Sequence, residues 1–407
     1  MISDEILGDI SAAVKEIMKT EGFEDYKFEI EGMSESGDNY MGEVIFLRVE
    51  PLGDDGKSYH LVLKTAKRSK DLRGALPIEI FYNRELYMYS DVFPAYRTFI
   101  KEVRPDFGFD FLPRVLYFNR EYLKETIVME NLKNEGFKLW DRKKPWNLQH
   151  SLFAMRHYGK LHALSMALED QRPGIFGELR KNLGNISDVF DKRVDFKKFY
   201  EEPVEHIMGL LRKNGREDLV VKYDGLVEEA LDHIFNGKTE DEDRIAICHM
   251  DSWNNNFMFK YENDDESEPS EVRLLDFQLS VMDSPAKDLS YNIYATCDNS
   301  CLDHFDDLLQ TYHRSLVESL RSLGSDPSNF FSLEDLRRHW RKYGLYGLFL
   351  SITLIKIELL EKTDAPKIEE MAKHENMLDG FNVKVSDQEE YDRRILDVYI
   401  HFGDNFL

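Results

Sequence analysis

The segment Ile247-Cys-His-Met-Asp-Ser-Trp-Asn-Asn-Asn-Phe-Met-Phe259 constrains this chain more than any other stretch. It reads His249-x-Asp251-x-x-x-x-Asn256 with apolar residues on both sides, so one strand must deliver a polar loop and a second must leave it. Asp276 follows twenty residues after Asn256, in Leu274-Leu275-Asp276-Phe277-Gln278. A fold that satisfies both segments brings a loop carboxylate, an amide and a strand-ending carboxylate to one cleft. That trio suits ATP-dependent phosphoryl transfer, in which one carboxylate orients the acceptor hydroxyl while an Asn and a second carboxylate hold Mg²⁺ on the phosphates. Asp251 is then the candidate base, Asn256 and Asp276 the candidate metal ligands, and His249 a brace for the loop. Taken alone, the loop also reads as a polar turn between strands; the Asp-Phe sequel at hairpin distance argues against that.

Upstream residues complete the pattern. Lys64 lies on the strand His60-Leu-Val-Leu-Lys64-Thr, where Val62 and Lys64 share a face and Leu61 and Leu63 face the other way. A lysine on a cleft-facing strand reaches α- and β-phosphates as a point charge. Glu85 shares a helix face with Phe81 and Met88, which points it inward as the partner of Lys64. A lone Lys or Glu is usually a solvated surface charge; it is the order Lys, Glu, H-x-D-x4-N, Asp-Phe that reverses that expectation. The hairpin tip Ser36-Gly37-Asp38-Asn39 offers small residues and free backbone N–H groups for a phosphate-covering loop, although an ordinary hairpin turn explains it as well. Ile127-Val-Met129-Glu130-Asn131-Leu132 runs from a strand into a linker, where the Glu130 carbonyl and the Leu132 N–H are placed to read adenine beside Met129.

At 407 residues, with 42% hydrophobic and 13% aromatic content, the chain is long and apolar enough for two cored domains. Its net charge of −24 argues against nucleic-acid or anionic-membrane partners. No protein partner is indicated. Three cysteines, Cys248, Cys297 and Cys301, make no disulfide framework, and a single C-x3-C favours ordinary thiols over zinc; a reducing, cytoplasmic setting is expected. No signal peptide is visible at the N-terminus, and Leu345–Ile355 is too short and too interrupted to span a bilayer.

Residues 5–19 have a helical apolar rhythm. Five strands are expected at 26–33, 40–49, 59–64, 114–119 and 126–129, with one main helix from Pro77 to Ser90 that ends before Pro94. After Asn131 long helices dominate (148–168, 204–211, 220–235, 301–323, 333–360), interrupted by a hairpin of 257–261 with 272–275 whose acidic loop reads as a solvated tip. The fold class is therefore α+β and bilobal, with an N-terminal antiparallel-sheet lobe over 1–132 and a larger, mainly helical lobe over 133–407. His162, between apolar neighbours, is read as a satisfied core histidine, and Asp288 as a cap or brace of the segment after Asp276. The stripe Trp340, Tyr343, Tyr346, Phe349 is read as core before pocket wall.

With those residues in place, the chain resembles the ecdysteroid kinase-like family, also called the CHK kinase-like group of insect proteins, in the choline kinase and aminoglycoside phosphotransferase branch of the kinase fold. The resemblance is carried by Gly37-Asp-Asn-Tyr40, Leu63-Lys64-Thr65, Arg84-Glu85, Met129-Glu130-Asn131-Leu132 and Lys160-Leu-His162-Ala-Leu-Ser165. It continues in Cys248-His249, Asp251, Trp253-x-Asn255-Asn256, Asp276-Phe277-Gln278 and Asp288-Leu289. The family usually has Gly where Met250 stands and often Leu at Ser252, and near the phosphate loop Met41-Gly42 replaces a pair of small residues. A bulky Met250 at a tight turn is expected to strain the loop.

The resemblance implies ATP- and Mg²⁺-dependent phosphorylation of a hydroxyl on a small molecule, such as an ecdysteroid or a hydroxylated xenobiotic. Trp253 stands where protein kinases usually have Lys and Gln278 where they have Gly, which disfavours a protein acceptor. A kinase-fold protein that binds nucleotide or ligand without turnover is the alternative.

Overall fold

The computed structural model describes residues 2–34, 41–53, 58–184, 195–226, 230–231, 245–262, 265–361, 373–374, 376–381, 383 and 385–407. The hairpin tip Ser36–Asn39 lies outside them.

The N-terminal part is α1 (Asp4–Glu21), β1 (Tyr26–Met33), β2 (Gly42–Pro51), β3 (Tyr59–Ala66), α2 (Lys70–Ala75), α3 (Ile78–Tyr87), α4 (Phe93–Val103), β4 (Val115–Asn119) and β5 (Thr126–Glu130). The five strands form one antiparallel sheet in the order β1-β2-β3-β5-β4. Strand alternation gives the sheet two faces. Ile45, Leu47, Leu61, Leu63 and Val128 pack under Ile10, Val14 and Ile17 of α1. Each such side chain is worth about 1.5–3 kcal/mol when fully buried, so α1 is a structural cover for the sheet. The opposite face carries Val44, Val62, Lys64 and Met129 toward the cleft.

One element departs from its expected end. The helix begun at Ile78 does not stop before Pro94; a π turn over Met88–Val92 joins α3 to α4. The Phe93 N–H reaches back to the Met88 carbonyl, which shifts the helical phase by one residue. Pro94 thereby falls in the first turn of α4, where its missing N–H has no intrahelical partner to lose.

The remainder is mainly helical: β6 (Lys138–Leu139), α5 (Leu148–Gln171), α6 (Pro173–Leu183), α7 (Phe196–Lys213), α8 (Glu217–Tyr223), β7 (Ala246–Cys248), β8 (Phe257–Tyr261), β9 (Pro269–Leu274), β10 (Val281–Asp283), α9 (Pro285–Thr296), α10 (Asn299–Leu302), α11 (Phe305–Ser322), α12 (Leu333–Tyr343), α13 (Leu345–Leu359) and α14 (Gln388–Phe406). β8 and β9 form the expected hairpin, with Glu262 and residues 265–268 of its acidic loop exposed, and β6 pairs with β8. β10 pairs with β7, which fixes the strand before the polar loop to the one after Asp276. The expected single helices at 301–323 and 333–360 are each broken, at Asp303–His304 and at Gly344. Among the described residues no helix is long and apolar enough to cross a membrane, and all three cysteines are free and buried.

Every residue of α9 is buried. Its closest neighbour is α13, and Gly347 is where the two backbones meet: a Cβ there would lie 2.2 Å from the Ser290 carbonyl carbon and 2.5 Å from the Tyr291 nitrogen. The Gly347 N–H also donates to Ser290 Oγ at 3.2 Å. Because the obstacle is backbone, it cannot be relieved by a rotamer change. Gly347→Ala is expected to lower unfolding stability by ~2–3 kcal/mol in urea titration, with an unchanged denaturant slope.

Candidate active site

The loop from His249 to Asn256 is held from below by one face of α9. Asp288, Tyr291 and Asn292 stand at i, i+3 and i+4, so they share a face. Asp288 accepts from the His249 N–H at 2.7 Å, the Met250 N–H at 2.6 Å and Ser252 Oγ at 3.3 Å. His162 Nε2 reaches the same carboxylate at 3.1 Å while its Nδ1 meets the Tyr312 hydroxyl. Burial alone would push the Asp288 carboxyl up; the hydrogen bond from His162 and the Met250 N–H hold it below the usual range. Asn292 Nδ2 donates to the Ser252 carbonyl at 2.8 Å. Asp288 thus braces the loop that precedes it in sequence, not the segment after Asp276.

His162, Cys248 and Asp288 bring their ligand atoms within 4.8 Å of one another. The carboxylate is already filled by four donors, and the Cys248 thiol donates to the Asp283 carbonyl and is held well above the usual thiol range by burial. A protonated thiol and a saturated carboxylate make this a hydrogen-bonded brace.

Met250 sits at φ +65° with its side chain fully buried. A left-handed conformation costs a non-Gly residue ~1–2 kcal/mol, and the buried thioether offsets it by packing. The loop keeps its hydrogen bonds despite that strain. Asp276 has φ +63°, a conformation that Asp tolerates better than most residues. His249 links the two: its Nε2 donates to the Leu275 carbonyl at 2.8 Å, and its Nδ1 accepts from the Asp251 N–H at 3.2 Å. Burial lowers its pKa, which suits the neutral tautomer those bonds require. It does not line the cavity, so it acts on position alone.

Lys64, Glu85 and Asp276 form one chain of charge. Lys64 Nζ lies 2.7 Å from Glu85 Oε2 and 2.8 Å from Asp276 Oδ1. Burial alone would pull the ammonium down, but the carboxylates of Asp276 and Glu85 hold it well above the usual lysine value. Glu85 is raised as well, to about 7, by burial against the pull of Lys64. The Asp251 carboxylate takes one hydrogen bond at each oxygen: the Tyr291 hydroxyl at 2.8 Å on Oδ1 and Asn256 Nδ2 at 2.9 Å on Oδ2. Burial and then the charge of Asp276 push Asp251 up to about 7, against the hydrogen bonds of Tyr291 and Asn256 and the charge of Lys64. Asn256 Nδ2 also reaches the Asp251 carbonyl at 2.7 Å, which turns the amide oxygen the other way.

These side chains line a cavity of about 400 Å³ that includes Lys64, Glu85, Asp251, Asn256, Asp276 and Gln278. A second cavity of about 630 Å³ adjoins it and shares Val44, Val62, Met129, Asn255 and Leu275. Glu130, Asn131 and Leu132 line the second. Glu130 Oε1 accepts from the Arg114 N–H at 2.9 Å, and the Leu132 N–H makes no hydrogen bond within the described residues. The structure therefore gathers Lys64, Glu85, Asp251, Asn256 and Asp276 at one cavity and Met129, Glu130 and Leu132 at its neighbour. The tip Ser36, Gly37, Asp38, Asn39 stays outside the described residues.

The first cavity also has an apolar wall: Phe196, Phe199 and Tyr200 of α7 with Leu350, Leu354 and Ile357 of α13. Positions 350, 353, 354 and 357 recur at helical spacing, but α13 is apolar all round, so the sequence does not single out this stripe. Trp340, Tyr343, Tyr346 and Phe349 are core instead, each at most 2% exposed.

Architecture and cleft together define a phosphotransferase of the bilobal kinase-like fold. The model of the ecdysteroid kinase-like family matches residues 36–325, well over half of the sequence, and the chain belongs to that family. It is a small-molecule kinase, with an alcohol group as acceptor. No curated protein matches it. Among solved structures it is similar to the GDP complex of a mutant aminoglycoside 2'-phosphotransferase-IIIa, at 13% identity and a TM-score of 0.36 over 97% of this chain and 98% of that one. It is also similar to aminoglycoside-3'-phosphotransferase of type VIII, at 13% identity and a TM-score of 0.28 over 84% and 99%.

A carboxyl whose folded pKa lies above its unfolded value binds more protons folded than unfolded between those values, so stability falls as pH rises through that window. For Asp251 the window runs from about 4 to about 7. Asp251→Asn removes that loss, and the Tyr291 hydroxyl can turn to accept from the new amide. In metal-free, ligand-free protein it is expected to raise unfolding stability by ~1–2 kcal/mol at pH 7.5, with the gain shrinking toward pH 4, as read from unfolding curves across pH.

Proposed function

We propose that this protein transfers the γ-phosphoryl group of ATP, with Mg²⁺, to a hydroxyl of an apolar small molecule of the ecdysteroid or hydroxylated xenobiotic kind. One observation supports this most: Asp251 lines one cavity together with the charged chain Lys64–Glu85–Asp276 and the apolar wall of α7 and α13. A hydrophobic alcohol seated on that wall would present its hydroxyl to the carboxylate. In this reading residues 1–132 hold the nucleotide, and 133–407 supply the base and the acceptor surface.

The chain's own donors fit the two groups. Asp276 and the outward amide oxygen of Asn256 are hard oxygen donors, the kind Mg²⁺ prefers. The unbonded Leu132 N–H beside the Glu130 carbonyl, at a cavity walled by Val62 and Met129, suits an adenine edge. When bound, the nucleotide supplies the phosphoryl group and the cation spreads the charge on its oxygens.

Asp251 orients the acceptor hydroxyl and takes its proton as the new O–P bond forms and the bond to the bridging phosphate oxygen breaks with its electron pair. Lys64 moves its charge from Asp276 to the phosphates, while Glu85 keeps the ammonium on the cleft side of β3. His249 keeps Asp251 and the Asp276 segment in register through their backbones.

A screen of hydroxylated small molecules, ecdysteroids included, with ADP release as readout, is expected to find an apolar alcohol that drives magnesium-dependent turnover. Asp251→Ala should cut that turnover at least ~100-fold while Mg²⁺·ATP still raises the unfolding midpoint; survival of full turnover would falsify the assignment of the base. Leu354→Gln should raise KM for the alcohol about tenfold with kcat little changed, since burying an amide against the ligand removes binding and not chemistry.

A further inference from the structure

Three side chains of α9 face the reactive loop, but they do different things. On the loop, Asp288 and Asn292 touch only backbone groups and the Ser252 hydroxyl, and both are fully buried away from the cavity. Tyr291 alone lines the cavity and touches the Asp251 side chain. We propose that Tyr291 is a positioning residue for phosphoryl transfer: its hydroxyl and the Asn256 amide clamp the two oxygens of Asp251, fixing the plane of the carboxylate so that its remaining lone pairs face the acceptor. The inference rests on Asp251 being the base.

The geometry carries it in three steps. A carboxylate turns readily about its Cβ–Cγ bond, and with Asn256 as its only side-chain donor it would pivot on Oδ2. The Tyr291 hydroxyl at 2.8 Å on Oδ1 supplies the second fixed point. That hydroxyl is itself placed by the core and not by a ligand. Its ring packs against Tyr346 at 6.0 Å between centroids, and the neighbouring Ser290 backbone is pressed against Gly347. The clamp is therefore set before any substrate arrives, which is what orientation requires if it is to speed the transfer. Tyr291 keeps its proton throughout; it donates a hydrogen bond and exchanges nothing.

Tyr291→Phe removes the oxygen and keeps the ring, so the variant retains the packing against Tyr346. In full-length protein, with the alcohol found by the ADP-release screen, it is expected to lower kcat about tenfold and leave KM for ATP and for the alcohol within about twofold. In an Asp251→Asn background the same change is expected to cost nothing further, because there is no base left to orient. An unchanged kcat in Tyr291→Phe overturns the proposal. So does a full tenfold loss that persists in the Asp251→Asn background, or a raised KM for the alcohol at constant kcat, which would make the hydroxyl a direct acceptor contact. Wild-type turnover in Asp251→Asn alone would instead remove the base assignment, a separate result.

Discussion

The cleft depends on one buried anion. Asp288, fully buried in the first turns of α9, receives the His249 and Met250 N–H groups, the Ser252 hydroxyl and His162 Nε2. A carboxylate taken out of water without partners costs several kcal/mol; with four donors the same group becomes a fixed point. Because two of those donors are consecutive backbone N–H groups, Asp288 dictates the path of the loop and not merely its position. That path includes the left-handed turn at Met250. The strain at Met250 is thus held by hydrogen bonds on one side and by a buried side chain on the other, which explains how a residue other than Gly is accommodated there.

From that anchor the rest of the machinery follows by short links. His249 ties the loop to the Leu275 carbonyl, β10 pairs with β7, and Asp276 arrives opposite Lys64. Lys64 in turn holds Glu85 across from the sheet. The Trp146 indole N–H donates to Asn254 Oδ1 at 2.8 Å, closing the loop's far end. The links are buried or half-buried, so they are strengthened by a lowered local dielectric and costly to leave half made. A change at α9 should therefore propagate to the charged chain, while a change at α1, on the far face of the sheet, should not.

Local signals were legible where chemistry repeats at short range. The strand alternation of β3 put Val62 and Lys64 on one face and Leu61 and Leu63 on the other, and the structure seats the first pair at the cleft and the second under α1. The loop with Asp251 and Asn256, and Asp276 beyond it, stood out because polar residues interrupt apolar strands. Three things were hidden. Tyr291 looked like one more aromatic on an apolar helix; only the loop folded against it gives the hydroxyl a meaning. The apolar wall at Leu350, Leu354 and Ile357 was masked because α13 is hydrophobic on every side, so periodicity could not say which side meets the cavity. Pro94 was read as a helix end because the π turn that shifts it to a harmless position leaves no mark in composition. In each case the missing information was which surface packs against which.

Phe277 packs the segment that follows Asp276 into the core. Its ring is fully buried, 4.8 Å from Phe93 and 6.0 Å from Tyr89 between centroids, edge-on to both, and 4.4 Å from the His249 ring. Swinging it out would open a cavity of phenyl size, at a cost of the order of 3–5 kcal/mol, the range seen when buried aromatics are removed. Gln278 follows it, so the backbone lacks the glycine freedom that would ease such a swing. With Asp276 already in its left-handed conformation and paired to Lys64, the segment has one well-packed state. The charged half of the cleft is therefore preformed; under the proposed function, discrimination would fall to the other half, the apolar wall of α7 and α13.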